Sequence, residues 1–439
     1  MKHSRFRRAL VAYFPAMCYP VGRALSFPLT PSRNSMFDTA PSDEEITLLN
    51  NVQARKEKYG HKPMLIRDKK FTGAHRIAGG AVISNVVFEN CNFVDHEMNG
   101  VIIDGVKFTD CRFLRTNWDE CIISDLLMEG CDFHGGDNKI VSVKSSGFSR
   151  FSRCMFEGYD VDGTSGKISA PGVSDFLDCD IRLMMIFANA RLNMKNCKTS
   201  EVSIFGLGKG KGALSDVDVE GCTGKSLLFV SGFGDVAVNR SSIEKVDLSR
   251  TSSRRLAVID SRCNLELLGV SSKSLEINKS TLFSSESSIN KKDGGGLTAE
   301  QADISEMTVT NCVFEGVNAN FFAPGSQPKM NDRGEVIYKK GWSGRPIPYH
   351  ATIGRLTWKN TPMQRADLRY ADIGTLSIEG STVSDSQFMN AEIGELALKN
   401  VRLAGQVDFS NAKVKKLSSA GVTRDPGLKL VKTGTDLQL

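Results

Sequence analysis

The stretch Val86-Val87-Phe88-Glu89-Asn90-Cys91-Asn92-Phe93-Val94-Asp95-His96-Glu97-Met98 sets the pattern of the chain. A large apolar residue returns at every fifth position, at Phe88, Phe93, Met98, Ile103, Phe108, Phe113, Trp118, Ile123, Met128 and Phe133, and a smaller one stands two residues before each, as at Val86, Cys91, His96, Val101 and Cys111. A spacing of two puts both members of a pair on one face of an extended strand, whereas a helix needs threes and fours. A spacing of five then demands a corner before the next pair. Four such sides make a square coil of about 20 residues, and coils stack at the strand-pairing distance. Residues 20 apart should therefore match, and they do: Phe93, Phe113 and Phe133 form one ladder, Cys91, Cys111 and Cys131 a second, Ile83, Ile103 and Ile123 a third.

The same rule returns near the other end. Ile353-Gly354-Arg355-Leu356-Thr357-Trp358 recurs as Ile373-Gly374-Thr375-Leu376-Ser377-Ile378 and as Ile393-Gly394-Glu395-Leu396-Ala397-Leu398, with Ala351, Ala371 and Ala391 in step. Ala366-Asp367-Leu368-Arg369-Tyr370 and Cys91-Asn92-Phe93-Val94-Asp95 fit a consensus of a small residue, Asp or Asn, Leu or Phe, a polar residue and often Gly. The chain resembles the pentapeptide-repeat family. The resemblance implies an all-β fold, a right-handed quadrilateral parallel β-helix with the central and the small residue inside, and its members share a shape rather than a reaction. It covers residues 81–133 and 351–403 strictly and most of the segment between loosely.

A solenoid grows by adding coils, so 439 residues do not call for a separate catalytic domain. The expected organisation is a basic N-terminal secretion or targeting segment, largely disordered, over residues 1–40; a capping helix and linker over 41–75; repeats over 76–323; an inserted loop over 324–350; further repeats over 351–420; and a C-terminal tail over 421–439. Residues 1–35 hold Lys2, Arg5, Arg7, Arg8, Arg23 and Arg33 and no acid, which accounts for the whole net charge of +6. Pro15 and Pro20 interrupt the short apolar run there. A Sec signal, a bacterial injection signal, an organelle address, a membrane-surface anchor and a disordered basic tail all remain open for it. Ser42 and Glu45 form a capping box, Ile46, Leu49 and Val52 share a face, and Gly60 stops the run, which predicts one helix over 43–59 that caps the first coil.

Between 134 and 175 the register loosens, and it recovers at Phe176, Ile181 and Ile186. From Val217 strong pairs recur about every ten residues, as at Leu227/Phe229, Val246/Leu248 and Leu265/Leu267, so that two opposite sides are apolar and the other two carry Ser, Thr or Cys. Residues 284–297 read as a flexible loop, and residues 324–350 as the long insertion. After Leu403 one extra residue shifts the pairs, and the last coil frays into a polar tail from Thr423.

There are eleven cysteines. Most sit at the small inward position, where parallel side chains seldom meet the torsion a disulfide needs, so they read as core thiols and favour a reducing compartment. No Cys-x-x-Cys pair and no spaced histidines suggest a metal, and no cofactor is expected. His96 lies beside Cys91 in sequence, but adjacent sides turn away from each other, so it reads as a polar group satisfied inside a coil rather than a base. Asp216 and Asp218 face outward without the converging column that calcium requires. Gly206-Leu207-Gly208-Lys209-Gly210-Lys211-Gly212 and Gly224-Lys225-Ser226 lack a P-loop's frame and read as solvated loops. No enzyme is expected.

What remains is binding. A rod of roughly 14 to 15 coils, about 70 Å long at strand spacing, offers flat polar faces to a protein partner. The resemblance extends to pentapeptide-repeat type III effectors that bacteria secrete into host cells, which implies a host partner and the host cytosol as destination, with the bacterial cytoplasm as the alternative. Residues 1–35 would add weak membrane-surface contact, and no specific nucleic acid is expected. One alternative is the DNA-mimic branch that protects topoisomerases, but a duplex carries one charge per about 1.7 Å of axis and the coils are near neutral. Another is the substrate-recognition module of secreted ubiquitin ligases, which would need a catalytic cysteine after the repeats, whereas the last is Cys312. Specificity is expected in the insertion, where Tyr338, Lys339, Lys340, Trp342 and Arg345 are of the types enriched at hot spots.

Overall fold

The computed structural model describes residues 39–134, 139–144, 148–157, 166–170, 173–188, 190–206, 214–283, 297–299, 301–315, 319–320, 329–330, 336–337, 339–340, 346–347, 351–435 and 437–438. The basic segment 1–38 lies outside them, as do residues 284–296.

Helix α1, Asp43–Asn50, opens with the capping box that Ser42 and Glu45 spell out. The single helix expected over 43–59 is in fact two. Asn51 takes an extended backbone and its side chain accepts from the Ala54 amide, starting α2, Val52–Tyr59. An Asn that can cap competes with helix continuation. Arg55 joins the pair to the solenoid: it is buried, donates from Nη1 to the Leu48 carbonyl at 2.6 Å and from Nη2 to the Val82 carbonyl at 2.6 Å, and reaches the Ser84 carbonyl through Nε at 3.2 Å. One guanidinium thus satisfies carbonyls of a helix end and of the strand Val82–Glu89.

The coils begin earlier than the sequence suggests. Met64–Arg67 pairs with Val82–Glu89, placing Met64 on Val86 and Ile66 on Phe88, and Lys70–Thr72 pairs with Asn92–Val94, placing Phe71 on Phe93. Residues 64–72 are therefore a first coil and not a linker; Gly73, Gly79 and Gly80 interrupt the five-residue rule after it. From there the chain makes about 14 parallel turns. Ile83, Ile103 and Ile123 stack in register, as do Phe93, Phe113 and Phe133, and Ile353, Ile373 and Ile393, all buried.

Corners carry the proof of four sides. Asn85, Asn90, Asp95, Gly100, Gly105, Asp110 and Arg115 all have positive φ, one every fifth residue. Asn, Asp and Gly tolerate the left-handed region best, and the turn there swings the chain to the next side. The Ile-Gly repeats have a separate cause. A Cβ on Gly374 would lie 2.4 Å from the Gly354 carbonyl oxygen, and one on Gly394 2.4 Å from that of Gly374, so this corner packs backbone on backbone.

Inside, aromatic rings stack along the axis. Phe71, Phe93, Phe113, Phe133 and Phe156 follow at centroid distances of 4.8, 5.0, 4.6 and 4.7 Å, the spacing of the strands themselves. The loosened region keeps the ladder: Phe148–Ser152 pairs with Asp125–Glu129 before it and Val173–Leu177 after it. Asp303–Thr310 pairs directly with Thr352–Lys359, Ile304 on Ile353 and Val309 on Trp358, so the coils on either side of residues 324–350 stack on each other. The segment read as a fraying tail also belongs to the stack. Thr423–Arg424 and Lys429–Val431 pair with Arg402–Asp408, and Leu437 is buried. Val422, Leu428 and Leu430 supply the apolar contacts that hold it there.

Candidate functional site

The residues proposed from sequence as a partner site fall largely outside the described chain. Tyr338, Trp342 and Arg345 are not among the described residues. Lys339–Lys340 forms a two-residue strand antiparallel to Pro346–Ile347, and Lys329–Met330 another with Val336–Ile337. The structure therefore brings no described site together in this insertion.

Cysteine chemistry is absorbed by the core. After the corner at Asn90 a column of inward thiols runs through Cys91, Cys111, Cys131, Cys154, Cys179, Cys197 and Cys222, and hydroxyls continue it at Ser241, Ser261 and Ser280. The thiols of this column, with Ser261 and Ser280, bond a carbonyl of the coil before, whereas Ser241 bonds the Asn239 carbonyl of its own: Cys111 Sγ lies 3.5 Å from the Phe88 oxygen, Cys154 Sγ 3.5 Å from that of Met128, and Ser261 Oγ 3.1 Å from that of Val238. All ten described cysteines are buried and free. Burial pushes the thiols of Cys111 and Cys131 well above the usual range and that of Cys263 up to about 12, so these are neutral SH groups and not nucleophiles.

His96 is equally enclosed but only half satisfied, since its Nδ1 is buried without a hydrogen-bond partner among the described residues. Its Nε2 meets the His75 carbonyl at 2.9 Å, its ring lies edge-on to Phe71 and Phe93, and burial lowers its pKa to about 4, so the imidazole is neutral. Cys91 Sγ is engaged elsewhere, with the Ile66 and Glu89 carbonyls. Asp216 Oδ1 accepts the Asp235 amide at 2.8 Å and Asp218 Oδ1 the Asn239 side chain at 3.3 Å, which spends them on holding neighbouring coils. Among the described residues no group of three metal-ligating side chains converges. Gly224-Lys225-Ser226 is not a loop: it lies in the strand Thr223–Val230, where a Cβ on Gly224 would meet the Thr199 carbonyl oxygen at 2.0 Å. Of the other Gly-Lys stretch, residues 207–212 lie outside the described chain and Gly206 ends the strand Lys198–Gly206.

The outward faces carry paired charge. Glu129 sits between Lys107 at 3.0 Å and Arg153 at 2.5 Å, and Glu379 between Lys359 at 3.1 Å and Lys399 at 2.9 Å. Arg115 reaches Asp95 at 2.6 Å and Arg254 reaches Asp235 at 2.8 Å. These partners lie one coil apart. Lys399 and Lys359 hold the Glu379 carboxyl below the usual carboxylate range, and Lys107 and Arg153 do so for Glu129. Each exposed pair adds little stability, but together they cancel charge along a face. A shallow hollow lined by Asp218, Glu220, Asn239, Arg240, Asp260 and Lys279 follows the same rule, with Arg240 paired to Glu220.

One outward feature went unread in the sequence. Leu65, Val87, Lys107 and Leu127 align in a single column, and Leu65 and Leu127 are exposed. The signal was available: each stands between the two inward members of its pair.

No protein-family model and no curated protein matches the chain. Solved structures give matches. One is QnrB1, a plasmid-mediated fluoroquinolone resistance protein, at 12% identity over 59% of this chain and 86% of that one, with a TM-score of 0.22. Another is HetL, a pentapeptide-repeat protein involved in heterocyst differentiation regulation from the cyanobacterium Nostoc, at 9% identity over 84% and 92%, with a TM-score of 0.18. An alginate lyase solved with G6 matches at 10% identity over 89% and 90%, with a TM-score of 0.33. The chain is a parallel β-solenoid. That statement rests on its own strand register; overlaps this low carry nothing about activity.

Proposed function

We propose that the chain is a non-enzymatic scaffold that binds a protein partner. The observation that carries this reading is the disposal of its reactive groups. Described thiols and the His96 imidazole are locked inward, and many outward carboxylates, among them Glu129, Asp235 and Glu379, are bonded to a neighbouring coil, so what faces solvent is a broad, nearly neutral surface rich in paired charge. A surface of this kind suits recognition by shape and hydrogen bonding. It suits duplex mimicry poorly, since a mimic needs unpaired negative charge along its length.

The finer reading follows the resemblance. The partner is a host protein, the chain is a bacterial effector delivered to the host cytosol, and residues 1–35 are its secretion signal, with weak membrane-surface contact as a secondary property. Tyr338, Lys339, Lys340, Trp342 and Arg345 are the proposed contacts on the insertion. Cross-linking the purified full chain in lysate of a candidate host cell, followed by reconstitution with the purified partner, tests the scaffold. Turnover of a substrate by the purified chain would overturn it. Residues 1–35 grafted to a cytosolic reporter test the address: delivery through an injection system is expected, and Sec-dependent export would remove the effector reading. Protection of gyrase from a quinolone at stoichiometric protein would instead favour the DNA-mimic reading.

A further inference from the structure

The two ends of the solenoid differ. At the start, α1 and α2 lie against the strand Val82–Glu89, and Arg55 takes the Val82 and Ser84 carbonyls in the part of it that Met64–Arg67 leaves unpaired. At the last, the strand Lys413–Ala420 pairs on one edge with Glu392–Lys399, and no described strand pairs with its other edge. Its inward residues show the same asymmetry. Val414 and Leu417 are half-buried where Ile393 and Leu396 of the coil before are buried, and Ser419 stands exposed at the position of Leu398.

The backbone register states which groups remain. The Lys413 amide bonds the Ala391 carbonyl at 2.9 Å, and the Asn400 amide bonds the Ala420 carbonyl at 2.8 Å. Successive residues of a parallel strand aim their amides to opposite edges. Val414, Ser419 and Gly421 therefore direct theirs away from the solenoid. Such an edge templates a further strand, by main-chain bonding for affinity and side-chain complementarity for choice.

Charge selects the occupant. Lys413, Lys415 and Lys416 are exposed along this strand, and Arg424 and Lys429 in the remainder of the same coil. Lys413 and Lys416 lean back to Glu392 at 2.7 Å and Glu395 at 2.9 Å, pairs in which both lysines are about 70% exposed and which water and salt weaken. A second copy docking on this edge would bring both sets of lysines into one seam. Lysine on an edge ordinarily deters such self-pairing, and the same row attracts a strand of opposite sign.

We propose that the edge of Lys413–Ala420 accepts an extended, acidic segment of a partner protein as an added β-strand. This rests on the scaffold reading and names one surface for it, separate from the insertion. The probe is a fluorescein-labelled peptide that alternates glutamate with valine, and its control is the same peptide with lysine for glutamate, both titrated by anisotropy against the full chain. Saturable binding of the acidic peptide, weakened by salt, is expected. The Lys413→Glu, Lys415→Glu, Lys416→Glu triple variant should weaken it at least about tenfold. Ser419→Pro should weaken it comparably with the circular-dichroism spectrum unchanged, because the Ser419 amide is not used by the preceding coil. If the triple variant does not fold, Ser419→Pro and the salt dependence decide. Absence of saturable binding, equal binding of the lysine peptide, or binding unchanged by Ser419→Pro overturns the proposal. So does a wild-type dimer in sedimentation that Ser419→Pro dissolves, which would make the occupant a second copy. A purified partner that binds wild type and Ser419→Pro equally leaves the scaffold standing and removes this edge. A chain that takes the acidic peptide but reconstitutes with no protein removes the scaffold instead.

Discussion

Replacing Phe113 by alanine probes how the solenoid is held together. The ring is fully buried, stacked 5.0 Å from Phe93 and 4.6 Å from Phe133, and edge-on to Phe108 at 5.4 Å and Trp118 at 5.7 Å. Removing a buried phenylalanine side chain costs about 3–5 kcal/mol through lost transfer energy and the cavity left behind. Stacked pairs add about 0.5–1.5 kcal/mol beyond area, and two of them are lost here, so the upper half of that range is expected. Backbone ladders on either side resist collapse into the cavity. Phe113→Leu keeps most of the volume and should cost under about 1.5 kcal/mol. Arg112→Ala, on the exposed neighbour, should stay within about 0.5 kcal/mol. Urea unfolding followed by circular dichroism measures the totals. Hydrogen exchange read by mass spectrometry locates them: because each coil touches only its neighbours, Phe113→Ala should lose protection around residues 88–133 and keep it around 372–399. A Phe113→Ala cost below 1 kcal/mol, or protection lost evenly along the chain, would refute this account of the core.

Three further outcomes follow from the geometry. His96 is neutral in the fold with a pKa of about 4 against an ordinary 6.5, so the unfolded chain binds its proton first; its contribution is complete above the ordinary value and declines as pH falls toward 4, and His96→Phe should flatten the urea midpoint in that window. The ten described thiols should resist a thiol reagent in the folded chain and react after denaturation without reductant, whereas Cys131→Ser should cost no more than about 1 kcal/mol because Ser241 and Ser261 already fill the same column. Replacing residues 326–348 by a short Gly-Ser linker should preserve the β circular-dichroism signal, since Asp303–Thr310 already pairs with Thr352–Lys359, while binding of the identified partner should fall at least about tenfold if the hot-spot residue types there act as proposed.

The repeat made the fold legible. A period of five with a pair spacing of two is a local property, repeated often enough that it admits one closed geometry, and it places Phe93, Ile103 and Ile373 inside without any knowledge of contacts. The capping box at Ser42 and Glu45 is readable for the same reason, being a bond between residues three apart. Contacts across coils were another matter. Arg55 meets Val82, Thr310 pairs with Lys359, and Glu129 finds Arg153, because excursions of different length lie between coils and shift a partner from the regular 20 residues to whatever the chain leaves in register. The break at Asn51 depended on a side chain choosing the Ala54 amide over a continued helix, a difference of the order of 1 kcal/mol that periodicity does not weigh. Which faces are neutral and which strand edge stays open depend on how coils stack, since charge and hydrogen bonding there are shared between residues that only the tertiary structure makes neighbours.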